Sequence, residues 1–226
     1  MYHPVQDKQH KQVYPKCALK KEGDDIKPLY RYSFDEGSSK ETAGTGAVIM
    51  GKYNIVYADP AWDYWGGKVR GSAKNHYPVM PLKDICALPV KDIAADDSLL
   101  FLWTTFPKLY EAFDVINAWG FEYKTVAFVW IKRTRTGNDW FTGLGYWTRS
   151  NAELCLLATR GKPKRFSRAV HQLIITPIEE HSKKPDITRD KIVELAGNLP
   201  RIELFARRKT LGWDVWGNEV ECDIEM

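Results

Sequence analysis

The chain has 226 residues, 44% of them hydrophobic and 27% charged, so it is long enough for one domain with a full core and short for two. Its net charge of +4 is too small to indicate a polyanionic partner by itself. The four cysteines lie far apart and form no CxxC or Cys/His cluster, so we expect no structural zinc site and reduced thiols in a cytoplasmic protein.

The first 45 residues mix Lys, Asp, Gly and Ser without a sustained hydrophobic period. This composition predicts a loosely ordered N-terminal arm, residues 1–45, ahead of a folded domain that spans residues 46–226. The N-terminus lacks a signal-type apolar core, and no apolar run approaches the roughly 20 residues of a membrane span. We therefore predict a protein without a membrane segment.

From residue 46 onward, short apolar runs alternate with helical patterns. Five runs lack polar alternation, which is typical of strands covered on both faces; they are residues 53–58, 98–105, 123–131, 153–159 and 201–206. Residues 107–120 and 185–197 each have a proline at the start and a glycine at the end, which predicts helices. This alternation predicts an α/β fold with a mostly parallel sheet and helices on both faces.

Polar residues stand where several of these strands end. Because ligands of open α/β sheets bind beyond the carboxyl ends of the strands, these residues predict a cleft at one edge. They are Asp59-Pro60-Ala61-Trp62, Thr104-Thr105, Lys132-Arg133 and the segment “ARRKT” (206–210).

The segment Asp59-Pro60-Ala61-Trp62 combines two hydrogen-bond acceptors with a large aromatic ring. The Asp59 carboxylate and the Pro60 carbonyl suit an amino group with two protons to donate, and proline fixes its own φ. Trp62 offers a face for stacking, worth about 1–3 kcal/mol per base. Two acceptors on the hydrogens of a nucleobase amino group favour a nitrogen whose lone pair is free to attack an electrophile.

Seven blocks of sequence, spanning roughly residues 46–221, carry a resemblance to one family. They resemble the adenine-N(6) methyltransferases of the Asp-Pro-Pro-Trp type, which include the eukaryotic messenger-RNA adenine methyltransferase and its phage and bacterial DNA-modifying relatives. The blocks are “YADPAW” (57–62), “HYPVMPLKDICALPV” (76–90), “LLFLWTT” (99–105), “GYWTRSNAELCLLATRGKP” (145–163), “HSKKPD” (181–186), “RIELFARR” (201–208) and “GWDVWGNEV” (212–220).

The resemblance implies a Rossmann-like methyltransferase fold that binds S-adenosylmethionine, with the catalytic strand ahead of the cofactor strand in the chain. Two departures from the family pattern stand out. Ala61 replaces the second proline of the motif, and no GxGxxG loop follows the candidate cofactor strand “IELFARR”. Since the first proline is kept, we expect looser geometry at Ala61 rather than loss of the chemistry.

The resemblance also implies which residues contact the cofactor. Alternatives remain for several of them: Lys184 as a solvated lysine, Glu203 as an ordinary strand-edge acid and Asn218 as part of a plain turn. Lys209 and Thr210 stand where the eukaryotic enzyme carries His and Asn, which leaves their roles open. The implied contacts are Ala58, Asp59, Lys184, Glu203, Phe205, Arg207, Lys209, Thr210, Asn218 and Glu219.

Positive charge is concentrated in residues 132–168, where nine Lys and Arg face two acids and aromatic residues are interleaved. Such a mixture suits a phosphate backbone with unstacked bases, although a charged run is often only a solvated face. None of the five histidines lies at motif distance from a second metal ligand, so we expect no metal. The predicted nucleic-acid contacts are Tyr64, Trp65, His76, Tyr77, Lys132, Arg133, Arg135, Tyr146, Arg149, Lys162, Lys164 and Arg165.

These features together predict transfer of a methyl group from S-adenosylmethionine to the 6-amino group of adenine in DNA. Asp59, Pro60 and Trp62 are the predicted catalytic residues, acting on a base that is flipped out or single-stranded. Two alternatives stay open, namely an RNA substrate and a catalytically silent nucleic-acid-binding subunit of a methyltransferase complex. The predicted protein is a monomer or homodimer, with a partner subunit left open, in the cytoplasm of a bacterial or phage-infected cell.

Overall fold

A computed structural model describes residues 19–22, 25–28, 52–63, 79–145 and 147–226. Strands β1 (Leu19–Glu22) and β2 (Asp25–Pro28) pair antiparallel as a separate ribbon. The other strands are β3 (Tyr53–Ala58), β4 (Ala94–Thr104), β5 (Glu122–Arg133), β6 (Ala152–Arg160), β7 (Leu173–Pro177), β8 (Arg201–Leu204) and β9 (Asp214–Trp216). The helices are α1 (Leu82–Ala87), α2 (Val90–Ile93), α3 (Leu109–Ala118), preceded by a 3₁₀ turn at Phe106–Lys108, and α4 (Ile187–Ala196).

The seven strands from β3 onward form one sheet in the order β7-β5-β6-β4-β3-β8-β9. Every neighbouring pair is parallel except the two pairs that involve β6, which runs antiparallel to β4 and β5. The amino end of β6 therefore lies beside the carboxyl ends of its neighbours. We call this side of the sheet the catalytic edge, because Asp59 follows β3 there.

Two hydrophobic clusters cover the two faces of the sheet. On one face, Val56 and Ala58 of β3 pack with residues of α1, α2 and α3, including Ile85 and Ile116. On the other face, Ile55 and Tyr57 pack with Ile192 of α4 and with neighbouring strands. Alternate residues of β3 thus enter opposite clusters, as expected for a strand buried on both faces. The predicted mostly parallel sheet with helices on both faces is confirmed.

All five predicted strands and both predicted helices are present, and all of them except β3 have shifted ends. Strand β4 begins at Ala94 and includes the exposed residues Asp96 and Asp97, so its apolar run marks only its buried part. The sequence reading missed β7, whose Leu173 and Ile175 are more than half exposed while Ile174 is buried, as at a sheet edge. It also missed β9, α1 and α2, which are too short to show a period.

Among the described residues, no helix is long and apolar enough to cross a bilayer. Cys86 and Cys155 carry free thiols, as expected. Cys222 is disulfide-bonded, so the expectation of reduced thiols was wrong for this residue. Apart from β1 and β2, the predicted N-terminal arm lies outside the described residues, and its role stays a prediction.

Candidate active site

The acid of the Asp-Pro-Ala-Trp segment is fixed by the most buried strand of the sheet. Ala58, the last residue of β3, is paired with Leu102 of β4 and Leu204 of β8 and is fully buried. Asp59 follows at once, and its side chain keeps 29% of its surface exposed at the catalytic edge. The strand thereby holds a carboxylate at the catalytic edge, partly open to solvent.

A chain of alternating charges surrounds Asp59. The Lys184 ammonium donates a hydrogen bond of 2.8 Å to Asp59 Oδ2 and lies 3.3 Å from Glu153 Oε2. Glu153 in turn accepts a hydrogen bond from Lys132. The side chains of Lys184 and Glu153 are only 11% and 14% exposed. Four charged groups thus alternate in sign. Because they are largely buried, their interactions are stronger than in water.

Burial and ion pairing act in opposite directions on these groups. Burial raises the pKa of Asp59 above its ordinary value of 3.8, and Lys184 opposes the rise. Burial also acts to raise the pKa of Glu153, but Lys184 and Lys132 outweigh it and hold that pKa below 4.5. Burial acts to lower the pKa of Lys184, yet Asp59 and Glu153 raise it well above 10.5. Lys184 is therefore a cation at neutral pH, held between two carboxylates.

Glu153 is the site residue that the sequence reading missed. It lies at the second position of β6, whose reversed direction brings it to the catalytic edge beside Lys132 at the end of β5. The available signal was an acid at the start of an otherwise apolar run, “ELCLLAT”. Lys184 was predicted, and the structure gives it two ion pairs rather than a solvated position.

The Pro60 carbonyl lies outside any sheet ladder, as predicted, but it already has one partner. It accepts a hydrogen bond of 2.9 Å from the backbone N–H of Trp62, and the next carbonyl, that of Ala61, accepts one from Met80. A carbonyl oxygen has two lone pairs, so Pro60 retains capacity for one more donor. Ala61 thus has a defined backbone role that does not require a second proline.

Trp62 is placed in the core rather than at an open surface. Its side chain is only 5% exposed and packs in the cluster on the α1 and α3 face. Its indole N–H donates a hydrogen bond of 3.1 Å to the Trp103 carbonyl inside the core. A ring this deeply buried has no free face for a base, so the predicted stacking role is not supported. Trp62 instead anchors the turn that carries Asp59 and Pro60.

We expect Trp62→Phe to destabilise the fold by about 1–3 kcal/mol, because the Trp103 carbonyl loses its donor and the smaller ring leaves a gap. Urea unfolding followed by circular dichroism measures this loss. Trp147→Phe is the matched control, since Trp147 is 98% exposed and its replacement should change stability by less than about 0.5 kcal/mol. Equal stabilities for the two variants would contradict the anchoring role of Trp62.

Several of the predicted cofactor residues follow the ends of β8 and β9. Phe205 follows β8 with a positive φ of 62° and packs edge-on against Trp216, with ring centroids 5.6 Å apart. Arg207 donates to Glu219 at 3.0 Å and to the His181 carbonyl at 2.8 Å. A non-glycine residue at positive φ is strained, and such strain concentrates at functional sites.

Other predicted cofactor residues have protein partners. Both oxygens of Glu203 accept hydrogen bonds from Arg189, at 2.6 and 2.7 Å, and Glu203 is 7% exposed. Lys209 pairs with Asp223 at 2.8 Å. Thr210 lines a separate cavity beside α4, so the structure does not group it with the other predicted contacts. The cofactor role of Glu203 and Lys209 stays a prediction.

The predicted nucleic-acid residues do not form one surface. Lys132 is 17% exposed and paired with Glu153, and the Arg133 guanidinium donates to the Gly137 carbonyl and lies 4.4 Å from the centre of the Trp140 ring. Both are therefore engaged within the protein. Arg135 and Arg149 are exposed on the connection between β5 and β6, which begins and ends at the catalytic edge.

The remaining basic residues lie at the opposite edge of the sheet. Because β6 is antiparallel, its last residue Arg160 pairs with Ser98 near the start of β4. Nine strand residues, roughly 27–30 Å of chain, separate this end from the catalytic edge. Lys162, Lys164 and Arg165 follow Arg160 at this end of the sheet, and their contact with nucleic acid stays a prediction. The predicted contacts Tyr64, Trp65, His76, Tyr77 and Tyr146 lie outside the described residues.

Within the described ranges, no group of three or more His, Cys, Asp or Glu side chains is placed to hold a metal ion. Close together at the catalytic edge are the Asp59 carboxylate, the Pro60 carbonyl and the largely buried Lys184. Two acceptors beside a fixed cation suit the binding of a group with two N–H donors.

Comparison with known proteins finds a matching family and related sequences. A family model described as MT-A70 matches residues 53–219. The type II methyltransferase M.MunI of Mycoplasma sp is 39% identical over 190 residues, which cover 75% of this chain and 78% of that protein. The human N(6)-adenosine-methyltransferase catalytic subunit METTL3 is 28% identical over 177 residues, covering 76% of this chain and 29% of that protein.

A Drosophila melanogaster N(6)-adenosine-methyltransferase MT-A70-like protein gives a similar match, 29% identical over 77% of this chain and 28% of that protein. The chain thus spans less than a third of these two eukaryotic relatives and most of M.MunI. The resemblance inferred from the seven sequence blocks is confirmed. On the family match and the identity to M.MunI, this chain belongs to the MT-A70 family.

Proposed function

We propose that this protein transfers a methyl group from S-adenosylmethionine to the 6-amino group of adenine in DNA. The observation that carries the proposal is the pairing of Asp59 with Lys184 next to the Pro60 carbonyl, which accepts one hydrogen bond and can accept a second. These acceptors stand at the carboxyl end of a buried strand, where α/β enzymes bind their ligands.

The two acceptors act together on the target amino group. The carboxylate of Asp59 and the carbonyl of Pro60 each accept one N–H of the adenine, which orients the nitrogen and favours a free lone pair. Lys184 favours the ionised form of Asp59, without which the carboxyl group is a poor acceptor for this purpose. Glu153 and Lys132 hold Lys184 in place from the other side.

The ends of β8 and β9 have features that fit the cofactor. Asn218 Oδ1 is buried without a hydrogen-bond partner in the described part of the chain, so it can accept from a bound hydroxyl or amino group. A Cβ on Gly217 would meet the Ala206 carbonyl at 2.1 Å, so only glycine allows this close approach. Phe205, Arg207 and Glu219 complete the proposed binding residues. S-Adenosylmethionine supplies an electrophilic methyl group when bound.

DNA is the favoured polymer because M.MunI, a type II methyltransferase, matches this chain over most of both lengths. RNA is the second candidate, since the N(6)-adenosine-methyltransferase relatives match a similar share of the chain, 76–77%. Exposed Arg135 and Arg149 at the catalytic edge are the basic residues that we propose for contact with the phosphate backbone. A catalytically silent subunit is disfavoured because Asp59 is present and paired.

The test is a nucleoside assay. The protein is incubated with methyl-labelled S-adenosylmethionine and either unmodified duplex DNA or RNA, and the polymer is digested and its nucleosides separated. We expect label in 6-methyladenine from DNA and little from RNA. Label in RNA alone would correct the polymer, and binding of cofactor without label in either polymer would refute the catalytic proposal.

A further inference from the structure

A second cavity, of about 400 Å³, lies between α4 and the connection from β8 to β9. None of the residues that pair with Asp59 lines it. One wall is formed by residues on one side of α4 together with its N-cap residue. The other wall is formed by the β8–β9 connection and by the first residue of β8. The lining residues that matter here are Asp186, Arg189, Arg201, Arg208, Thr210 and Trp213.

Alternate residues of the β8–β9 connection face different partners. Arg207 and Lys209 pair with Glu219 and Asp223, on the side of the proposed cofactor site. Arg208 and Thr210, between and after them, line the second cavity. The connection therefore contributes residues to two separate sites, and the cavity is distinct from the proposed cofactor site.

One arginine of the cavity lining, Arg201, has no acidic partner among the described residues. Asp186 is neutralised by Arg189 and Arg208, and Arg189 also pairs with Glu203. Among the described residues, Arg201 donates only to neutral groups, the Asn198 side chain and the Leu199 carbonyl, and it lies 5.5 Å from the centre of the Trp213 ring. The further acid of the lining, Asp190, is exposed to solvent.

Two polar atoms of the lining residues are also left without partners. Arg201 Nε and Thr210 Oγ1 are buried, and neither has a hydrogen-bond partner among the described residues. A buried polar group without a partner costs about 1–3 kcal/mol, so two in the lining of one cavity require an explanation. Both atoms can donate a hydrogen bond, and both belong to residues that line the cavity, one of them being the guanidinium without an acidic partner. Hydrogen-bond donors together with a positive charge are what an anion requires.

We propose that this cavity binds a phosphate group. Guanidinium and hydroxyl donors match the acceptor oxygens of phosphate, and arginine is favoured over lysine where such groups are recognised. The volume falls within the roughly 300–1,000 Å³ range of small-ligand sites, so the phosphate can be part of a larger molecule. The site is independent of methyl transfer, so it stands or falls separately from the proposed function.

The test is calorimetric titration of the protein with sodium phosphate at constant ionic strength set by chloride. Thr210→Val should lower phosphate affinity about tenfold, the effect of losing one hydrogen bond to a charged acceptor. Since Thr210 Oγ1 has no partner to lose, urea unfolding of this variant should show unchanged or higher stability. Arg208→Gln should weaken phosphate binding by a similar or larger factor.

Lys191→Gln is the control, since it removes a positive charge from α4 outside the cavity lining and should leave phosphate affinity unchanged. Oligonucleotide binding distinguishes two sources of the phosphate. If a nucleic-acid strand supplies it, Thr210→Val weakens oligonucleotide binding and free phosphate competes; if a small phosphorylated molecule does, neither occurs. Phosphate binding that is absent, or equal in wild type, Thr210→Val and Arg208→Gln, would overturn the proposal.

Discussion

Asp59→Asn should reduce the rate of methyl transfer at least about 100-fold, the effect of losing one preorganised group that stabilises charge in a transition state. The asparagine side chain has one acceptor oxygen in place of the two of a carboxylate. Lys184 already donates to one oxygen of Asp59 at 2.8 Å, so in the variant it competes with the adenine amino group for the single oxygen that remains. Single-turnover assays with labelled S-adenosylmethionine measure the loss directly.

The same variant should remain folded, because Lys184 keeps its ion pair with Glu153 at 3.3 Å. Circular dichroism and binding of S-adenosylhomocysteine separate a catalytic defect from unfolding. Asp114→Asn is a matched control on the exposed side of α3 and should leave the rate unchanged. A rate for Asp59→Asn within about threefold of wild type would be far outside the expected loss and would refute the role of this carboxylate.

The sequence was sufficient to locate Asp59 because the apolar residues that predict strand β3 are the same residues that bury it in the sheet. The apolar run 53–58 predicts a strand buried on both faces, and in the structure β3 lies between β4 and β8. The polar residue after such a strand must emerge at the carboxyl edge. Nothing outside the segment was needed for this inference, and the structure has β3 at Tyr53–Ala58 as expected.

The position of Glu153 and of the basic segment 162–165 in the fold could not be predicted from the sequence, for one shared reason. Hydrophobic patterning shows that 153–159 is a strand but is the same for either direction of the chain, so it cannot reveal that β6 is antiparallel. That direction brings Glu153 to Lys184 and sends Lys162 to the opposite edge. Trp62 illustrates a second limit, since its burial depends on contact with Trp103, 41 residues away in the chain.

Lys184→Met should destabilise the protein by about 3 kcal/mol at pH 7.5, the lower end of the range for breaking a buried ion pair. Methionine fills similar space but leaves Asp59 and Glu153 facing each other without the cation between them. Lys132 still pairs with Glu153, and Asp59 keeps some contact with solvent, which limits the loss. Methyl transfer should also fall, because the pKa of Asp59 rises further and a smaller fraction is ionised.

The sign of the pH dependence distinguishes this explanation from simple loss of packing. In the wild type, the pKa of Glu153 is lowered in the folded state, so its contribution is present above about 4.5 and is lost as the pH falls. The raised pKa of Lys184 contributes stability that is fully present below pH 10.5. This contribution is therefore constant at acidic and neutral pH. Of the three groups Asp59, Glu153 and Lys184, Asp59 acts in the opposite direction, because its pKa is raised in the folded state.

Removing Lys184 should reverse the balance, because burial then dominates and the folded protein holds protons on Asp59 more tightly than the unfolded chain does. Stability of Lys184→Met should therefore rise as the pH is lowered from 7.5 to 5, recovering part of the loss. Urea unfolding of both proteins at the two pH values gives the comparison, with Lys83→Met, an exposed lysine of α1, as the control for charge. If Lys184→Met and wild type changed with pH in the same way, Lys184 would not be what keeps Asp59 ionised, and the catalytic role inferred for the pair would have to be abandoned.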